Sequence, residues 1–91
     1  MIDLHIEELV SDWTSLSNFQ ILSIQLNAFE RQIELAIQHH QPMLTVIHGV
    51  GKGKLKEEIH QWLKGKPFIR NYSDEFNPFY GNGATTIYFQ Y

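Results

Sequence analysis

The chain has 91 residues, 43% of them apolar and 13% aromatic, which suits one domain around one modest core. It has no cysteine, excluding a disulfide framework and a thiolate zinc site, and no apolar run near the roughly 20 residues of a membrane span. The formal net charge of −3 argues against a general polyanion binder, and the lack of cysteine suits a reducing, cytoplasmic setting.

Along the chain, Ile2-Asp3-Leu4-His5-Ile6 alternates strictly and predicts a short strand with Asp3 and His5 on one side. A motif so near Met1 fits one domain, residues 1–91, excised from a longer protein. Glu7 to Trp13 reads as loop or a short helical turn. Ser17 and Gln20 have the spacing of a capping box, and Leu16 and Ile21 that of a hydrophobic staple. Phe19, Leu22, Leu26, Phe29, Ile33, Ala36 and Ile37 then recur at helical spacing, predicting a helix from about 18 to 40 that Pro42 ends. Ile21, Ile24, Ala28 and Leu35 form a second stripe, covered within the fold or by a protein partner.

Met43 to His48 is nearly all apolar, as in a central strand buried on both sides. Gly49, Gly51 and Gly53 follow, and Leu55, Ile59, Trp62 and Leu63 mark a second helix that Gly65 and Pro67 terminate. Phe68 to Ser73 reads as a third strand, Asp74 to Gly83 as a loop, and Ala84 to Gln90 as a last, β-branched strand. The order predicts an α/β fold: a two-layer βαβαββ sandwich with a mixed four-stranded sheet and two helices. Right-handed crossovers make the first three strands parallel, and the last two pair antiparallel.

Ligands of open α/β sheets bind beyond the carboxyl ends of the strands. Asp3 and His5 lie at that end of the first strand, and His48 with the glycines at that end of the second. A carboxylate beside an imidazole fixes its tautomer and raises its basicity. Glycines admit a phosphate to backbone amides at a helix N-terminus, where Lys52, Lys54 and Lys56 also stand. The glycine spacing matches neither the dinucleotide fingerprint nor the P-loop, which has Ser or Thr where Leu55 stands. Plainer readings compete: Asp3 and His5 satisfying each other in the core, and glycines serving only a tight turn. His39 and His40 fit a helix C-terminus, and His60 a solvent-facing position. Tyr72, Phe76, Phe79 and Tyr80 suit base stacking or, more often, a core. Charge is uneven. Residues 48–72 have six Lys and Arg against Glu57 and Glu58, a net of +4, while the remainder has eight acids against Arg31, a net of −7. A basic face on an acidic protein and ordinary solvated lysines both explain this.

Ile2-Asp3-Leu4-His5 resembles the Leu-Asp-Leu-His-Gly motif of the Smr (small MutS-related) domain. His48 to Leu55 is similar to its His/Thr-Gly-x-Gly-x-Gly-x-Leu motif, and Gly81 to Ile87 to its last strand. The resemblance spans essentially the whole chain. It implies a βαβαββ two-layer fold and a DNA or RNA partner, with DNA-nicking or RNA-cleaving endonuclease activity in some members. It carries over Asp3, His5 and His48 as catalytic candidates, and Gly49, Gly51, Lys52, Gly53 and Lys54 as a phosphate or nucleic-acid cradle. On that reading Asp3 orients His5 or holds a divalent cation (Mg or Mn), and His48 is an acid or base. The family's glycine after the first histidine is Ile6 here, followed by Glu7 and Glu8. That departure supports an alternative, a non-catalytic protein-interaction module with a degenerate site.

Overall fold

The computed structural model describes residues 1–49, 53–74, 78, 81 and 83–91. Seven elements follow in order: β1 (Ile2–Asp3), α1 (Ile6–Leu9), α2 (Asn18–Gln38), β2 (Met43–Ile47), α3 (Lys54–Leu63), β3 (Ile69–Ser73) and β4 (Ala84–Phe89). The strands form one four-stranded sheet in the order β1-β2-β4-β3. β1 runs parallel to β2, and β4 runs antiparallel to both β2 and β3. The expected mixed α/β sandwich is therefore present, with β4 inserted between the two strands that precede it.

Ser17 caps α2 as the sequence predicts. Its side chain accepts from the Gln20 amide while the Gln20 side chain accepts from the Ser17 amide. These reciprocal bonds satisfy two of the helix's orphan donors. α3 ends as expected, with Lys64 at the cap and Gly65 beyond it at φ +75°. That left-handed conformation is one glycine adopts without steric cost.

The core lies between the helices and one face of the sheet. Phe29, Ile33 and Ala36 of α2 and Leu55, Ile59 and Leu63 of α3 pack with Leu4, Val46, Ile87 and Phe89. Trp62 meets Phe29 edge to face at 5.2 Å, the favoured geometry for the ring quadrupoles. Burying a side chain of Leu, Ile or Phe size is worth about 1.5–3 kcal/mol, so this cluster holds the two helices to the sheet.

Three expectations need correction. The first strand is shorter than Ile2–Ile6, because the Asp3 carboxylate accepts the His5 amide and turns the chain, and Ile6 opens α1. Ile6 is buried there, and α1 packs on α2, adding a third helix. Phe19, assigned to the core stripe, is 77% exposed. It sits in the first turn of α2 across an open groove from Lys54 and Leu55. In the second stripe, Ala28 packs on the core while Leu35 is exposed.

Candidate functional site

Asp3 and His5 stand two residues apart where the chain leaves β1. Asp3 Oδ1 accepts both the His5 amide, at 2.9 Å, and the His5 imidazole Nδ1–H, at 2.6 Å. The pair is not core. The side chains are 43% and 41% exposed, His5 and Asp3 respectively. Partial burial pushes the Asp3 carboxyl up, but the His5 backbone and imidazole hydrogen bonds and the His5 charge outweigh it, holding Asp3 below its usual value. With Nδ1–H engaged, His5 keeps its lone pair on Nε2.

That nitrogen lies over the start of the glycine loop. Gly49 has φ +81°, and a Cβ built on it would stand 2.9 Å from His5 Nε2. The two halves of the site thus touch at a position where only glycine leaves room. The Gly49 amide is committed elsewhere: it and the His48 amide both donate to the Gly83 carbonyl, at 2.9 and 2.8 Å. In this arrangement Gly49 contributes close approach to His5 and no free amide.

His48 is 7% exposed. Its Nδ1 lies 2.9 Å from the Gly49 carbonyl and its Nε2 2.8 Å from Thr85 Oγ1. Burial draws its pKa below the usual histidine value; the Gly49 carbonyl and Asp74 work against that, and Lys56 and His60 with it. Both ring nitrogens face protein groups, so the acid–base role read for His48 from sequence lacks an open nitrogen here. Thr85 donates in turn to Asp74, whose carboxylate also faces His60 Nε2 at 3.1 Å and Lys56 Nζ at 3.7 Å. Burial raises the Asp74 carboxyl, but hydrogen bonds from Thr85 and His60 and the charges of His60 and Lys56 prevail and lower it.

His60, expected in solvent, is instead bonded to Asp74 and packed on Tyr72 at 4.8 Å between ring centroids. Tyr72 packs on the core cluster. Sequence reasoning did not find Asp74, Thr85 and His60 as a group. One signal was available: Thr85 shares the buried side of β4 with Ile87 and Phe89, and a hydroxyl in such a row calls for a partner.

On the other side of the loop, Gly53 caps α3 at φ +77° with nothing within 4 Å of a built Cβ. Lys54 is exposed and reaches Glu58 at 3.2 Å. Gly51 and Lys52, named in the sequence as cradle residues, and Phe76, Phe79 and Tyr80, named as stacking aromatics, lie outside the described residues. Among the described residues no three His, Asp or Glu side chains converge as a metal site. Asp3 and His5 alone do not fit a divalent ion held by protein ligands only.

A small α/β domain with a carboxylate–imidazole pair set against a glycine loop is the class that this geometry defines. The Smr domain family matches residues 24–90, and the chain belongs to that family. It is 38% identical over 63 residues to endonuclease MutS2 of Enterococcus faecalis, covering 67% of this chain and 8% of that protein. It is 32% identical over 62 residues to endonuclease MutS2 of Aquifex aeolicus, covering 68% of this chain and 8% of that protein. The chain thus spans under a tenth of the length of these relatives. Its fold is similar to the Smr domain of Thermus thermophilus MutS2, with a TM-score of 0.72 at 21% identity over 98% of this chain and 95% of that one. It is similar also to YdaL, a stand-alone small MutS-related protein of Escherichia coli, with a TM-score of 0.63 at 18% identity, covering 99% and 63% of the two chains. Among the described residues no helix is long and apolar enough to cross a membrane.

Proposed function

We propose that this Smr domain binds DNA or RNA through the loop between β2 and α3 and hydrolyses a phosphodiester bond beside it. The observation that carries this reading is the Asp3–His5 pair, half exposed, with His5 Nε2 against Gly49. Asp3 orients the imidazole by accepting its Nδ1–H, which leaves the lone pair on Nε2. His5 Nε2 takes a proton from an attacking water as a general base; the water oxygen bonds to phosphorus as the bond to the leaving sugar oxygen breaks, and that oxygen is protonated from solvent. Gly53 and the N-terminus of α3, with Lys54 and the sequence-assigned Gly51 and Lys52, supply positive potential for the phosphate. His48 serves this site by its buried hydrogen bonds rather than by proton transfer. The names of the MutS2 relatives, endonucleases, agree with this chemistry.

Glu7 and Glu8 favour a second reading. Both are exposed in the first turn of α1, two and three residues after His5, where they repel a polyanion. On that reading the site is a non-catalytic interaction surface. The test is binding and cleavage of labelled single- and double-stranded DNA and RNA, with and without magnesium or manganese, by the wild type and His5→Ala. The expected result is binding that weakens steeply with salt and cleavage that disappears in His5→Ala. No binding at low salt refutes the nucleic-acid reading and leaves the protein-interaction module; binding with no cleavage under any condition refutes the hydrolysis alone.

A further inference from the structure

We propose that the groove between the first turns of α2 and α3 is a binding site for one unpaired base of a single-stranded nucleic acid, stacked on Phe19. This rests on the function proposed above and names the form of polymer the site takes: a single strand, held by a base as well as by its phosphates.

The groove has a volume of about 780 Å³, and Phe19, Leu22 and Leu55 line it together with Gln25, Lys54 and Glu57. Small-ligand clefts have that size and the same mixture of apolar lining with a few polar groups. Leu22 packs on the core and Leu55 is 8% exposed, so the floor is the edge of the core itself. Phe19 is different: at 77% exposed it gives the fold little packing. A lone exposed apolar side chain is ordinary, but one set over other apolar groups in a cleft of ligand size marks a binding site.

Place decides which ligand. The groove adjoins the candidate site on both sides. Gln25 lines it and donates its side-chain amide to the carbonyl of Leu4, the residue before His5, at 2.9 Å. Lys54 lines it next to Gly53, the cap of α3. A strand with one phosphate by Lys54 and its scissile bond by His5 Nε2 has a base within reach of this groove.

Charge sorts the polymer in the same sense. Lys54 attracts a phosphate, and its pair with Glu58 at 3.2 Å joins side chains that are 65% and 38% exposed. Such a surface pair contributes little and yields to a better anion. Glu57 opposes a phosphate inside the groove, but its carboxylate accepts from the amino group of a base such as cytosine. The groove therefore takes a base and turns the backbone away. A base inside a duplex has its faces stacked and its edge paired, and does not enter.

The test is fluorescence anisotropy with a labelled single strand of about 12 nucleotides, its abasic counterpart with the same phosphates, and the corresponding duplex. In the wild type the base-bearing strand is expected to bind more tightly than the abasic one, a comparison that needs no variant. Phe19→Ala is expected to keep the wild-type urea midpoint, to weaken single-strand binding on the order of tenfold, and to leave the abasic strand and the duplex unchanged. Phe19→Trp is expected to restore single-strand binding. Equal wild-type binding of the base-bearing and abasic strands, or unchanged single-strand binding in Phe19→Ala, overturns the base site and leaves the proposed function standing. No binding of any strand at low salt overturns both. Self-association of the chain that Phe19→Ala abolishes also overturns the base site, because a second copy then covers the groove.

Discussion

Replacing Gly49 by alanine separates a backbone effect from a contact, because Gly53 provides its control. Both glycines have positive φ, +81° and +77°, and an L side chain in the left-handed region costs about 1–2 kcal/mol. At Gly53 a built Cβ meets nothing within 4 Å, so Gly53→Ala carries that cost alone. At Gly49 the Cβ would lie 2.9 Å from His5 Nε2, closer than two such atoms approach. The imidazole must swing away and give up its alignment with Asp3 Oδ1. That pair is two-fifths exposed, so solvent screening limits its loss to about 1 kcal/mol. Gly49→Ala is therefore expected to destabilise the fold by ~2–3 kcal/mol, about 1 kcal/mol more than Gly53→Ala. For a domain of this size each kcal/mol lowers Tm by roughly 4–8 °C. Urea unfolding of both variants, in the wild type and in a His5→Ala background, measures the difference. With His5 removed the two costs should become equal. If they are equal while His5 is present, or stay unequal after its removal, the contact between the two halves of the site is not what constrains Gly49.

Two further expectations follow from burial and charge. The Asp3 carboxyl is held below its usual 3.8, so its bond to His5 stabilises the fold above the unfolded-state pKa and is lost as pH falls through the lower folded value. Urea midpoints measured from about pH 6 down to pH 2 should fall less steeply in Asp3→Asn than in the wild type, and parallel curves would contradict this. Phe29 is fully buried against Trp62, and its truncation to alanine should cost about 3–5 kcal/mol, read as a lower midpoint at unchanged slope.

Much of the architecture was legible because local patterns and tertiary packing agree. The capping box at Ser17 and Gln20, the apolar repeat through Phe29, Ile33 and Ala36, and the stop at Gly65 each depend on neighbours within a few residues. Period and capping chemistry carry that information directly. The pairing of Asp3 with His5 was legible for the same reason, since only Leu4 separates them. Phe19 was misassigned because periodicity predicts the face of a helix but not where the core ends along it. At the first turn of α2 a groove opens instead.

Strand order and the buried relay belonged to the tertiary structure alone. No local signal says that β4 enters between β2 and β3; that choice depends on which edges remain unpaired once the helices have crossed the sheet. His48, Asp74 and Thr85 lie 26 and 11 residues apart in turn, and His60 comes to them only because α3 packs over the sheet. By itself the sequence determined the elements, the Asp3–His5 pair and the glycines that let it come close. The tertiary structure decided which histidine is open and which is enclosed, because burial and hydrogen-bond partners are properties of the packed chain. His5 and His48 look alike in the sequence, and only packing leaves the first two-fifths exposed and encloses the second.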